Sequence, residues 1–255
     1  MQDSRKPAQQ GFDKGRRRAL QTIAGAATAT MAAFVKPAGA APLPPKETGL
    51  SYEGLLKDRP GFQPRTPAPL PVAEIPGFLS KAQLAQSYAV YRQAFAKLLE
   101  AEKALENAPR DTAHAPMYLA LRTQQLLAAN SVLLHELYFR NLARAPVEPS
   151  RYILSNMTEH MGALDSWRED FTACARVAAA WAVLAYDPYD DRWHNLPLSE
   201  ADAGGMAGSN PLVVCAVSDD AWSLDYKDRE TYIAEFMRRV DWNAVAARYR
   251  AVDRH

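Results

Sequence analysis

Two long runs of helical periodicity, separated by little more than Asn107-Ala108-Pro109 and a few polar residues, limit what this chain can become. In the first, Leu84, Tyr88, Tyr91, Phe95, Leu98, Leu99 and Leu105 recur every three to four positions. In the second, which starts near Met117, Leu126, Leu127, Leu133, Leu134 and Leu137 do the same. Such spacing puts the apolar side chains on one face of a helix. Ser80 is suited to cap the first helix, with Gln83 placed three residues on to complete a capping box. Pro116 suits the first turn of the second, which extends to about Leu142. Two long helices joined by a short link fold back as an antiparallel hairpin. His135 lies on the apolar face of the second helix. It is either a satisfied core imidazole or a nitrogen aimed at a metal or substrate.

The flanking segments divide the chain. Residues 41–77 hold nine prolines, from Pro42 to Pro76, so they cannot form a long helix and are expected to lie as an extended arm. Residues 78–147 form the hairpin domain, bounded by Pro146 and Pro149. Residues 148–255 form a C-terminal α/β domain. There a third helix is expected from Ser155 to about Ala178. Short strands follow at Ala180–Tyr186, Trp193–Leu198 and Pro211–Val217, with helices at Thr231–Arg239 and Trp242–Tyr249. Asp187-Pro188-Tyr189-Asp190-Asp191 reads as a turn. The fold class is α+β: an N-terminal antiparallel long-helix hairpin, then a small three-stranded antiparallel sheet packed with helices.

Residues 1–40 have the order of an export signal. Arg16-Arg17-Arg18 precede a mildly apolar stretch from Ala19 to Phe34, then Lys36 and Ala38-Gly39-Ala40. The paired arginines resemble a twin-arginine signal, although Ala19 stands where a large apolar residue is usual. Cleavage after Ala40 and a periplasmic or secreted destination are the expectation. The stretch falls short of the ~20 strongly apolar residues of a membrane span. Seven of the 30 Lys/Arg and two of the 29 Asp/Glu lie in these forty residues, so the remainder carries a net charge of −4. A mildly acidic remainder argues against a nucleic-acid partner. Cys174 and Cys215 are the only cysteines, free to pair in an oxidising compartment but with no spacing that fixes it. Cys-x-x-Cys, Gly-x-Ser-x-Gly, His-Glu-x-x-His and Walker patterns are absent, and Gly204, Gly205 and Gly208 make no phosphate-binding fingerprint.

Several segments together resemble the iron/manganese superoxide dismutases. Leu224-Asp225-Tyr226, Tyr232-Ile233, Phe236, Val240-Asp241-Trp242 and Val245 resemble the family's closing pattern, with one residue fewer between the first two tyrosines. Trp181 and Leu184 resemble its Trp-x-Trp-Leu strand. Ser87-Tyr88 with Gln93-Ala94-Phe95 resembles its first helix, and His135 with Tyr138-Phe139 its second. The similarity runs from about Phe78 to Tyr249. It implies dismutation of superoxide by iron or manganese, held by three histidines and one aspartate.

Position by position, the implied ligand set is depleted. The first-helix ligand falls on Ser87, and no histidine occurs between Ala41 and His114. The second-helix ligand falls on His135 and is kept. The remaining aspartate and histidine fall on Ala216 and Asp220. The gateway histidine and tyrosine fall on Tyr91 and Phe95, and the site's glutamine on Ser131. A catalytically degenerate homologue is therefore implied, with no resident cofactor. One alternative is an active dismutase whose displaced site uses His135, Asp219 and Asp220 around iron or manganese. Another is a small-ligand binder using the emptied cavity, unless Tyr91, Phe95 and Trp222 fill it. A Ser87/His135/Asp220 relay is disfavoured, because ligand positions converge on a point and do not form a line. His160 and His194 read as surface or boundary residues. A homodimer is the implied assembly, but the usual contact segment reads Asp219-Asp220, and symmetric carboxylates would repel.

Overall fold

In the computed structural model, residues 66–199 and 205–253 are described. The export-signal segment, most of the proline-rich arm and His255 lie outside them. The fold is α+β, as expected. Helices α1 (Lys81–Glu106) and α2 (Ala115–Asn141) form the hairpin. Helices α3 (Arg151–Met161) and α4 (Leu164–Val177) lead to strands β1 (Trp181–Asp187), β2 (Arg192–Leu198) and β3 (Asn210–Ala216), and then to α5 (Arg229–Arg238) and α6 (Trp242–Val252). None of the described helices is long and apolar enough to cross a membrane.

Local chemistry sets most boundaries. The side chains of Ser80, Ser150, Asp228 and Asp241 accept the first-turn amides of α1, α3, α5 and α6. The expected third helix is in fact two. It starts four residues early, because Ser150 is the cap, and it breaks where Gly162 takes φ +83°. Amphipathic periodicity runs through the break, so spacing alone conceals it.

The sheet order is β2-β1-β3, with both pairings antiparallel. Central β1 is buried along its whole length, hence its unbroken apolar run. Pro197 is tolerated because β2 is an edge strand. A bulge between Leu184 and Ala185 absorbs the extra residue at Leu212, just after Pro211. Cys174 and Cys215 remain free thiols, both buried.

A polar node inside the core joins the hairpin to the sheet. Arg248 of α6, 2% exposed, donates to Asn141 Oδ1 at 2.7 Å, Leu212 O at 2.8 Å and Leu137 O at 2.9 Å. Asn141 Oδ1 also accepts the Val214 amide at 2.9 Å. Beside it, Asp241 N donates to Asn141 O and Ala143 N to Arg239 O, closing the end of α2 against the link between α5 and α6.

Arg248→Met keeps the apolar stem but strands these acceptors in the core. Each unsatisfied group costs about 1–3 kcal/mol, so chemical denaturation should register a loss of roughly 2–5 kcal/mol. A loss below about 1 kcal/mol, the size of a surface effect, would mean that the node does not hold the fold. A second prediction concerns pH. His160 stacks on Trp193 and bonds the Tyr249 hydroxyl at 3.1 Å, and burial lowers its proton affinity below the ordinary histidine value. The unfolded chain therefore binds more protons, and stability should fall as pH drops below about 6.5. His160→Gln should flatten that decline between pH 7.5 and pH 5 in urea melts.

Candidate functional site

The site builds outward from the end of β3. Ala216 pairs with Trp181 and is buried, and it offers no donor atom. Beyond it the chain passes through Ser218 into a single 3-10 turn, Asp219–Ala221. Asp219 and Asp220 form this turn and do not cap a helix. Asp219 is exposed and Asp220 half-buried.

What converges here is a backbone carbonyl. Asp220 O accepts Gln83 Nε2 at 2.7 Å, Ser87 Oγ at 3.2 Å and Gln86 Nε2 at 3.3 Å, all from the first two turns of α1. The Ser87 hydroxyl also lies 3.2 Å from Gln83 O. Gln83, fully buried, accepts the Leu224 amide on Oε1 at 2.8 Å. Only half of the capping box expected at Gln83 is made: Ser80 Oγ accepts the Gln83 amide at 3.1 Å, but the Gln83 side chain does not return to the Ser80 amide. That side chain leaves the helix end for the turn, and the Ser80 amide is taken by Asp225 Oδ2 at 2.6 Å. Ser87 and Asp220, two positions of the implied ligand set, are thus bonded to each other through a hydroxyl and a carbonyl.

His135 is 5% exposed on α2. Its Nδ1 lies 2.7 Å from Ser131 O and 3.4 Å from Ser131 Oγ. Trp181 meets the ring edge-on at 4.8 Å, with Tyr91 and Phe139 at 6.2 and 6.1 Å. Burial lowers its proton affinity, opposed by the bond to Ser131 and by the negative charge of Asp220. The imidazole is therefore neutral at pH 7. Neither Ser131 nor Ser87 aligns it toward a nucleophile, since Ser87 is committed to Gln83 and Asp220, so no Ser87/His135/Asp220 relay is formed.

The arm is bonded to the hairpin beside His135, through Tyr91 and Tyr88. Ala68 N donates to the Tyr91 hydroxyl at 2.7 Å, which donates to Glu136 Oε1 at 2.8 Å, while the Tyr88 hydroxyl bonds Ala68 O at 3.1 Å. Between Ala68, Pro69, Pro71, Tyr91, Glu136, Phe139 and Arg140 a gap of about 10 Å³ remains, room for no more than about one water. Sequence reasoning missed Gln83 and Gln86 as site residues. The one available signal was the polar pair Gln83 and Gln86 bracketing the turn before Ser87.

As a donor set for iron or manganese, these residues fit poorly. One neutral imidazole and the Asp220 carboxylate are available, Ser87 is engaged and Ala216 contributes nothing. A redox site for these metals asks for several imidazole and carboxylate donors around one point.

A family model described as iron/manganese superoxide dismutases, C-terminal domain, matches residues 149–248. A manganese superoxide dismutase of Haloferax volcanii is 30% identical over 119 residues, 46% of this chain and 60% of the relative. An iron superoxide dismutase of Aquifex aeolicus is 31% identical over 134 residues, 52% of this chain and 63% of the relative. One of Cupriavidus metallidurans is 28% identical over 150 residues, 56% of this chain and 75% of the relative. The chain spans about three fifths of the length of the manganese relatives it matches. The sequence pattern, the helical hairpin before a three-stranded sheet, and the match over residues 149–248 agree: the C-terminal part of the chain is similar to the C-terminal domain of the iron/manganese superoxide dismutases.

Proposed function

We propose that this protein is an exported, non-catalytic member of the family, in which former metal-ligand positions hold the hairpin against the C-terminal domain. The observation that carries this reading is the Asp220 carbonyl, taken by Gln83, Gln86 and Ser87 together. The family reaction needs an ion that cycles between two oxidation states, and each lost donor weakens affinity and shifts potential. The arm residue Ala68, bonded to Tyr91 at the implied gateway position, supports the same reading. The arginine-led segment of residues 1–40 supports export. Asp219, exposed on the turn, would meet its own copy in a family-type dimer, so the reading includes no such dimer.

One observation favours a second reading, residual metal binding at a displaced site. The Asp220 carboxylate lies near enough to His135 to act on its proton affinity. Iron or manganese would then be held by His135 and Asp220, with the Asp219 carboxylate swung inward.

Elemental analysis beside a dismutase assay distinguishes the two. The untagged protein, expressed with iron and manganese supplied, should give no dismutation above that of the free ions, before and after His135→Ala. Dismutation that tracks bound iron or manganese and vanishes in His135→Ala would refute the first reading. The structural role of the turn contact makes a separate prediction. Gln83→Ala leaves the Leu224 amide without its acceptor and removes one donor from Asp220. It should lower unfolding free energy by about 1–3 kcal/mol in urea melts. A neutral result would mean that the contact does not hold the two domains together.

A further inference from the structure

Strand β1 begins at Trp181, against His135, and ends at Asp187. Its two ends lie about 20 Å apart. At the Asp187 end, the β1–β2 hairpin turns through residues 188–191, with Asp191 at φ +56°. Asp187, Asp190 and His194 each offer one donor atom there, and these atoms all lie within 4.8 Å of one another. His194 Nε2 is 2.9 Å from Asp190 Oδ2. Two ligands on a zinc-sized ion sit about 3–3.5 Å apart, so small side-chain rotations suffice to bring the three donors onto one ion.

The second observation is the state of Asp187. It is 6% exposed, yet among the described residues its carboxylate accepts one hydrogen bond, from Tyr189 N at 2.9 Å to Oδ1. Arg192 stands directly across the ladder from it. That guanidinium instead donates to Glu159 O at 3.2 Å. A carboxylate withdrawn from water is costly unless a cation pairs with it or a metal takes it as a ligand. The cross-strand arginine is in place to pair with Asp187 and is turned away. The second carboxylate oxygen accepts no hydrogen bond among the described residues, and one oxygen of the pair lies within 4.8 Å of the Asp190 and His194 donor atoms.

We propose that this hairpin binds one divalent first-row transition ion, zinc or manganese, through Asp187, Asp190 and His194, with water completing the shell. Two carboxylates and an imidazole suit either ion. The ion would neutralise the buried Asp187 and add a tie to a turn held by the Tyr189–Asp187 and Tyr186–Asp191 hydrogen bonds and the His194–Asp190 pair. The inference is independent of the reading of the His135 region, and the distance along β1 keeps the two apart.

The test uses the untagged full chain, stripped with a chelator and titrated calorimetrically with zinc chloride and, separately, with manganese chloride. One ion per chain should bind at micromolar concentration and raise the melting temperature. Affinity should fall at least tenfold in Asp187→Asn and in His194→Gln, and stay within a factor of two in His135→Ala. If Asp187→Asn does not fold, Asp190→Asn and His194→Gln, both at positions open to solvent, decide the matter. Three results would overturn the proposal: no saturable binding of either ion to the parent chain, binding unchanged in His194→Gln, or binding abolished in His135→Ala. The first would leave His194 and Asp190 as an ion pair alone, and the last would place the ion at the inherited position.

Discussion

A guanidinium taken out of water must find acceptors in fixed directions, and Arg248 finds them on the two pieces that have to be joined. It grips Leu137 O and Asn141 Oδ1 at the end of α2 and Leu212 O on β3. Asn141 adds a bond to the Val214 amide, so one side chain reads both the helix and the strand register. The candidate site draws on the same two elements that this clamp joins. His135 lies less than two helical turns before Asn141, and the turn with Asp220 begins three residues after β3 ends. Slippage of α2 against β3 by one residue would carry Asp220 away from α1 and Trp181 off His135. Planar donors in a rigid fork suit this task better than a flexible ammonium.

With that frame held, the chemistry between hairpin and sheet depends on which atoms fill it. A carbonyl oxygen has two lone pairs, and Asp220 O faces three donors. It is fully subscribed, and the hydroxyl of Ser87 is consumed in the process. Histidine at position 87 could not have donated in the same way at the same reach. The small side chain lets α1 come close to the turn, and Gln83 then reaches Asp220 O and Leu224 N at once. The residues at these positions thus form one hydrogen-bond cluster between α1 and the turn after β3.

Helix periodicity, the Ser80 cap and the unbroken apolar run of β1 made the hairpin and the central strand legible in the sequence, because those signals are local. The absence of histidine from Ala41 to Ala113 is equally plain in the sequence. What escaped was tertiary. Gln83 sits where a capping box wants it, and local logic assigns it to Ser80. Its side chain's partners lie 137 and 141 residues away. The break at Gly162 escaped because the two helices on either side share one apolar phase. The hairpin at Asp187 reads as an ordinary turn until burial reveals a carboxylate with a single donor.

The arm adds a constraint that ligand loss alone would not require. Pro69 and Pro71 have no amide to offer, so beside the packing of Ala68, Leu70 and Val72 on the core the segment's hydrogen bonds to the hairpin come from its few other backbone N–H and C=O groups. Ala68 supplies both, one to Tyr91 and one to Tyr88. Tyr91 is then locked between the arm and Glu136. A working gateway needs a group free to exchange protons with solvent and with an anion behind it. Here the hydroxyl at that position is donor to a carboxylate and acceptor from a backbone amide, with aromatic rings around it. The entry side and the Asp220 turn share one feature: their polar groups are satisfied by one another within the chain. That shared internal satisfaction is what the proposed structural role requires of both.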